Sequence, residues 1–299
     1  MRVLNYGSAS IDYVFSVDHI SAPGETVSSH GRELFPGGKG LNQSIALAKA
    51  GAEVYHAGAV GGDGEMLTHA LAEAGVHTDY LRVAAEPTGN AIIQVDAQGQ
   101  NSIVLFAGAN RTQTPEEMDR VLAHFGRGDM LLLQNEINGV DALIAKGYEK
   151  GMIVALNPSP FNAAVKACDL AKVGVFLLNE VEGEQLTGQH EEGRMLAALG
   201  LRFPRARIVL TLGEKGALYR DERNEYRQPA FRVKAVDSTA AGDTFTGFFL
   251  AALLSGAPTP EALRAAAMAS ALSVCRKGAS SSIPTRAEVA RALAAERRA

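Results

Sequence analysis

The chain has no tryptophan, only two cysteines and few aromatic side chains, 6% in all. Cys168 and Cys275 show no pairing pattern, which excludes a disulfide framework and fits a protein of the reducing cytoplasm. No apolar run exceeds residues 244–257, too short to cross a bilayer, so that stretch reads as a buried helix and no membrane partner is expected. Charge of one sign is also lacking. A net charge of −4 gives no general attraction for nucleic acid or an anionic membrane. The seven histidines show no metal-ligand spacing, and neither internal repeats nor low-complexity segments occur. Because residues 1–7 open directly on a strand pattern, no signal peptide is expected.

What is present is a soluble, globular composition, with 46% hydrophobic and 21% charged residues. Strand and helix signals alternate through most of the 299 residues, the signature of a largely parallel sheet with helices on both faces. Strands are predicted at 2–6, 54–60, 130–134, 153–157, 174–178 and 208–212. Helices are predicted at 40–50, 66–74, 139–150, 182–186, 244–254, 260–275 and 286–299. Two stretches break the rhythm. Residues 12–34 and 88–107 read as β with turns, the second as a hairpin around Ala97, Gln98 and Gly99. Together they predict a small sheet standing off the α/β body, with an apolar face to cover an active site or a partner subunit.

The most informative segment lies at 236–245. A strand-like run, residues 231–236, enters it, and an apolar helix leaves it. Between them Ala240, Ala241 and Gly242 are small enough for backbone N–H groups to approach an anion, and the helix dipole adds positive potential. Asp243 follows at once, among small neighbours. A carboxylate repels a bound phosphate, but it fits a base that takes a proton from a hydroxyl attacking a phosphoryl group. Read by itself, a Gly-Asp pair would be a plain helix start.

A second glycine-rich segment, Gly37-Gly38-Lys39-Gly40-Leu41-Asn42, lacks the Ser or Thr of a P-loop and the Rossmann spacing. Asn42, at a helix start, offers a donor and an acceptor suited to a polyol. Asp12 and Glu136 each lie just past a strand, where sheet ligands sit. Asn179 and Glu182 are read either as helix caps or as holders of a hydrated magnesium ion. Thr211, Gly213 and Gly216 form a turn equally readable as a plain hairpin. Residues 273–282 form a polar loop that would either coordinate a cation through carbonyls or only close a helix.

Taken together, the order and spacing of these segments resemble the ribokinase family of sugar kinases, the phosphofructokinase-B type, over nearly the whole chain. The Gly-Gly-Lys-Gly-x-Asn run ending at Asn42 and the Ala-Ala-Gly-Asp-Thr-Phe run around Asp243 match its two signatures. The Asn-x-x-Glu, Thr-Leu-Gly-x-x-Gly and Arg-Lys-Gly-Ala segments match in order.

The resemblance implies a Rossmann-like body, residues 1–11, 36–87 and 108–299, with a β lid formed by 12–35 and 88–107. It implies ATP-dependent phosphorylation of a sugar's terminal hydroxyl, D-ribose first among the acceptors. Asp243 would be the base, and the N–H groups of Ala240, Ala241, Gly242 and Asp243 the anion hole. Ser10, Asp12, Gly38, Lys39, Gly40, Asn42 and Glu136 would hold the sugar. Asn179, Thr211, Gly213, Gly216 and Gly242 would face the nucleotide, and Glu182 would organise Mg2+ through water. Asp237, Thr239, Ser273, Arg276, Gly278 and Ser282 match positions that bind an activating K+, and the family is often dimeric through the lid.

Ser10 stands where the family usually has Asn, and Leu41 where it usually has Ala. Both lie on the sugar side, so 2-deoxyribose, another sugar or a nucleoside stay open as acceptors. A non-catalytic sugar-binding regulator would have lost Asp243, Gly242 or Glu182, all of which are present. A dinucleotide oxidoreductase lacks its glycine fingerprint.

Overall fold

The computed structural model describes residues 1–297. The first half runs β1 (Val3–Tyr6), β2 (Ser10–Ser16), β3 (Gly31–Gly37), α1 (Lys39–Lys49), β4 (Val54–Val60), α2 (Glu65–Glu73), β5 (His77–Val83), β6 (Gly89–Val95) and β7 (Asn101–Phe106). Next come α3 (Pro115–Leu122), β8 (Met130–Gln134), α4 (Val140–Glu149), β9 (Ile153–Asn157), α5 (Ala163–Ala167), β10 (Val175–Asn179), α6 (Glu180–Thr187) and α7 (Glu192–Arg202). The rest is β11 (Arg207–Thr211), β12 (Ala217–Arg220), β13 (Glu225–Gln228), α8 (Ala241–Leu254), α9 (Thr259–Val274) and α10 (Arg286–Glu296). The last of these ends before 298–299, the part of the predicted terminal helix that lies outside the described residues.

The strands form two sheets. The larger has nine strands in the order β13-β12-β11-β10-β9-β8-β1-β4-β5. It is parallel from β11 through β5, while β12 and β13 run antiparallel at its edge. Its central strands, such as MLLLQ and VFLLN, are nearly continuous in apolar residues because both faces are covered. Alternate residues feed two separate cores. Val3, Met130, Leu132 and Val209 pack under α1, α8 and α9, whereas Leu4, Leu131, Leu133 and Leu210 pack under α4, α6 and α7. Helices α1 and α8 press together at Gly247, where a Cβ would come within 2.4 Å of the Ala46 Cβ.

The smaller sheet, β3-β2-β6-β7, is built from the two stretches that broke the alternation. Its central pair β2–β6 is parallel, and the outer pairs are antiparallel hairpin-like neighbours. Edge strand β7 is exposed along its whole length, including Ile103, Val104, Leu105 and Phe106.

One predicted element is absent. The run at 231–236 is not a strand. Beyond Pro229 the chain leaves the sheet and crosses as irregular backbone. Phe231 and Val233 turn to a cavity and Val236 points to solvent, so the β-favouring side chains serve a wall rather than a ladder. Strand β5 and helices α3, α5 and α7 were not read from the sequence, nor were the edge strands β12 and β13.

Candidate active site

The site forms where the parallel strands end. Asn157 closes β9, Asn179 closes β10 and Thr211 closes β11, all beside the start of α8. They border a cavity of about 250 Å3, also lined by Lys39, Glu182, Ser238, Ala240, Ala241, Gly242, Asp243 and Thr246. Helix α8 begins on Ala240, whose φ of 59° makes it the one non-glycine residue with a left-handed backbone among the described residues. That conformation costs on the order of 1 kcal/mol for alanine and turns the chain sharply into the helix. The first-turn N–H groups, which have no intrahelical acceptors, therefore border the cavity. A Cβ on Gly242 would meet nothing within 4 Å, so what this glycine keeps clear is open space.

Asp243 is 7% exposed, and it is not bare as its small sequence neighbours suggested. Asn42 Nδ2 donates to its Oδ2 at 3.1 Å, and Gln43 Nε2 donates to its Oδ1 at 2.8 Å. Both donors come from α1, which starts on Lys39. The Asp243 carboxylate, with Glu136 and Glu182 behind it, holds the Lys39 ammonium above its ordinary pKa against the penalty of burial. The Ala241 N–H donates to Ser238 O at 3.2 Å, while those of Gly242 and Asp243 have no protein acceptor among the described residues. A positive charge thus stands beside a buried carboxylate and two unengaged N–H groups, an arrangement that balances the charge of a phosphoryl group in transfer.

A second acidic group flanks this centre. Glu136 Oε2 accepts the Lys39 N–H at 2.8 Å and the Ser8 hydroxyl. Burial pushes the Glu136 carboxyl up, an effect opposed by the Lys39 charge and by these hydrogen bonds. Asp12 on β2 is raised to about 6, first by burial and then by the charge of Glu136. Ser8 also receives the Gly40 N–H at 3.1 Å, and a Cβ on Gly40 would lie 2.4 Å from the Ser8 nitrogen. Gly40 therefore lets α1 start against the β1–β2 turn. Ser10 accepts from Asn110 Nδ2 at 3.1 Å, and Asn110 also accepts the Ala9 N–H at 3.0 Å. Gly38 lies beside Ser10, 3.2 Å from its nitrogen to a would-be Cβ.

Of the residues assigned to the nucleotide side, Thr211, Gly213, Gly216 and Gly242 border a larger cavity of about 730 Å3. Its walls include Phe231, Val233, Phe245, Ala267, Ala271 and Val274. Asn179 borders only the smaller cavity. The turn at 211–216 is the hairpin between β11 and β12, the structural one of its two readings. Asn179 and Glu182 form a capping box. Glu182 Oε2 accepts the Asn179 N–H at 2.9 Å, and Asn179 Oδ1 accepts the Glu182 N–H at 2.9 Å.

The segment ahead of α8 and the loop after α9 meet. Asp237 accepts the Thr239 N–H at 2.9 Å and its hydroxyl at 2.6 Å. Ser273 O accepts the Arg276 N–H at 3.0 Å, while the Arg276 guanidinium turns away to Glu288 at 2.5 Å. Ser282 is buried, its hydroxyl donating to Ala279 O at 2.8 Å. No cluster of three or more His, Cys, Asp or Glu side chains suited to a metal occurs among the described residues.

Gln43, Ser8 and Asn110 were missed at the level of sequence. Gln43 follows Asn42 directly, but nothing local marks it as a partner of a residue 200 positions away.

With this geometry in place, residues 2–286 match the profile of the pfkB family carbohydrate kinases. The chain is 37% identical over 292 residues to a ribokinase of Haemophilus influenzae, covering 94% of this chain and 95% of that protein. It is 33% identical to a deoxyribokinase of Salmonella typhi, covering 95% and 96%. The fold superposes on the structure of Arabidopsis thaliana ribokinase complexed with ribose and ATP with a TM-score of 0.86, at 30% identity and 98% coverage of both chains.

Proposed function

The chain belongs to the pfkB family of carbohydrate kinases, and we propose that it transfers the γ-phosphoryl group of ATP to the terminal hydroxyl of D-ribose, giving D-ribose 5-phosphate. The observation that carries the chemistry is Asp243, a buried carboxylate at the start of α8 beside the Lys39 ammonium and the unengaged N–H groups of Gly242 and Asp243. Asp243 takes the proton of the attacking hydroxyl. The N–H groups from Ala240 to Asp243 and the charge of Lys39 receive the phosphoryl charge. Asp12, Asn42 and Glu136, with Ser10 and the backbone of Gly38 to Gly40, bind the sugar. The wider cavity past Gly213 and Gly216 takes the nucleotide, with its phosphates reaching past Thr211, which borders both cavities, toward Asn179 on the smaller one. The acceptor rests on the ribokinase relatives and on the carboxylates, which suit a polyol.

The small sheet, residues 12–35 and 88–107, acts as the lid that excludes water from the sugar. The exposed apolar strand β7 supports a homodimer formed through that lid. Composition supports a cytoplasmic location, and no described helix is long and apolar enough to cross a membrane.

Two cations complete the reading. Glu182 is 4% exposed, and both its oxygens are held by Asn179, from N at 2.9 Å and from Nδ2 at 3.1 Å. A carboxylate so fixed suits a water shell better than direct ligation, and it would hold the hydrated Mg2+ that neutralises nucleotide phosphate charge. For K+ the donors at Asp237, Thr239, Ser273, Arg276, Gly278 and Ser282 are a carboxylate, hydroxyls and carbonyls. That all-oxygen set fits a hard cation. With its guanidinium committed to Glu288, Arg276 contributes only its backbone there.

The deciding experiment is an ADP-release assay with MgATP and K+ across ribose, 2-deoxyribose, other pentoses, fructose and nucleosides. A kcat/KM for ribose at least about tenfold above the others is expected, roughly 1.4 kcal/mol of discrimination. Preference for 2-deoxyribose would move the acceptor. It would point to Ser10, whose hydroxyl is already engaged by Asn110.

A further inference from the structure

The two oxygens of Asp243 are held by unlike partners. Asn42, which donates to Oδ2, keeps its own Oδ1 without a protein partner among the described residues, so this amide is only half used. Gln43, which donates to Oδ1, is fully used and 0% exposed. Its Oε1 accepts Gln134 Nε2 at 2.7 Å. The same Gln134 nitrogen donates to Asn5 Oδ1 at 3.0 Å. Asn5 Nδ2 in turn donates to Gly40 O at 2.7 Å and to Ser44 Oγ at 2.8 Å. Ser44 Oγ lies 2.9 Å from His56 Nδ1, on a buried ring whose pKa burial depresses to about 4.

The Gly40 carbonyl fixes the Asn5 amide, whose Oδ1 then orients Gln134 Nε2 and through it the Gln43 amide, while Gln134 Oε1 has no protein partner among the described residues. A reversed Gln43 amide would face its oxygen to the carboxylate and its N–H2 to the Gln134 N–H2. Gln134 and Asn5 sit on β8 and β1, adjacent strands at the middle of the large sheet. The base therefore hangs from the sheet through two buried amides, although it stands on α8.

We infer that Gln43, oriented by Gln134, is a positioning residue for phosphoryl transfer: it pins Oδ1 of Asp243 so that Oδ2, held only by the half-used Asn42, is the oxygen that meets the attacking hydroxyl. The inference rests on the reading of Asp243 as the base. Its physical basis is that a base displaced by about 1 Å costs on the order of a hundred-fold in rate. One pinned oxygen removes the carboxylate rotation that would allow such displacement.

The test is a steady-state and stability comparison of Gln43→Met, Gln134→Met and the double variant, each close to isosteric and without the amide. Gln43→Met is expected to lower kcat roughly tenfold to a hundred-fold, while KM for sugar and for ATP moves less than about threefold. Gln134 borders neither cavity. Its variant is expected to lower kcat in the same direction, and the double variant to fall no further than Gln43→Met, as for residues acting in series. Unchanged kcat in folded variants overturns the inference, as do losses that multiply. Should Gln43→Met fail to fold, Gln134→Met decides by the same kcat-against-KM split. Asp243→Asn separates the two levels. If it retains turnover, Asp243 is not the base and the positioning role falls with it. If it is inactive while Gln43→Met is fully active, only the positioning role is wrong.

Discussion

Oδ2 of Asp237 accepts the backbone N–H of Gly278 at 2.9 Å, clamping the approach to α8 onto the loop that follows α9. The N–H groups of Val236 and Asp237 reinforce the clamp, both reaching Val274 O, at 2.7 and 3.1 Å. A cation at this junction, as proposed, would act on the same backbone that leads into the start of α8. Initial rates at constant ionic strength are therefore expected to rise several-fold when K+ replaces Li+, and Asp237→Ala is expected to abolish the response. A flat response in the unaltered enzyme would leave the loop a purely structural joint.

With Asp243 as the proposed base, its replacement is expected to remove chemistry and spare binding. Asp243→Asn keeps the shape and is expected to lower kcat by on the order of a hundred-fold or more. Calorimetric affinity for MgATP should stay within a few-fold. Turnover close to that of the unaltered enzyme would take Asp243 out of the proton transfer.

Gly37, at the end of β3, lies so close to Asp12 that a Cβ would fall 2.2 Å from Oδ2. Gly37→Ala is expected to displace Asp12 and raise KM for the sugar about tenfold or more, with KM for ATP nearly unchanged. The Asp12 carboxyl, raised to about 6, also sets a pH dependence. On the proposal that Asp12 binds the sugar, its ionised form would accept sugar hydroxyls, and protonation below about pH 6 would weaken that. KM for the sugar should therefore climb as pH falls from 7 to 5, and Asp12→Asn should flatten the climb.

Buried His56 gives a stability profile of definite sign. Burial lowers it from 6.5 to about 4, so between those values the unfolded chain binds more protons than the folded one. The stability contributed by a neutral His56 is complete above about pH 6.5 and drains away as pH falls toward 4. The loss at pH 4.5 is about 2–3 kcal/mol relative to pH 7. Denaturant melts of the unaltered enzyme and of His56→Gln at both pH values measure it. Equal pH losses in the two proteins would count against His56 as the source.

Edge strand β7 of the small sheet offers Val104 and Leu105 to solvent at 66% and 70% exposure. Leu105→Glu is expected to convert a dimer into monomers by sedimentation velocity without lowering the melting temperature. If the unaltered protein sediments as a monomer, this face is not a subunit contact.

The fold was legible wherever strands are buried on both faces. Stretches such as 130–134 and 153–157 are apolar without interruption, and only a covered parallel strand needs that. Strand β5, with the sequence HTDYLRV, lies at a sheet edge, carries polar residues and pairs with a register shift, so no such run marks it. The stretch 231–236 failed for the opposite reason. Its residues favour strands locally, but the wall of a cavity needed them. In the site, Asp243 was conspicuous as a charged group among small residues at a helix start, whereas Lys39 came only with the family resemblance, as a sugar-side residue, and Glu182 read equally as a cap. Nothing marked Gln43 and Gln134. Glutamine is ordinary in a helix or at a strand end, and its value here comes from partners 200 and 91 residues away.

The close seat of Gly247 against Ala46 has a consequence for how the protein is made. Asp243 meets its amide partners only when α8 docks on α1, and some 200 residues of translation separate the two. A nascent chain still short of α8 can set Lys39 against Glu136, but it lacks the carboxylate that the side chains of Asn42 and Gln43 hold. The Asp243 centre closes only with the last fifth of the polypeptide.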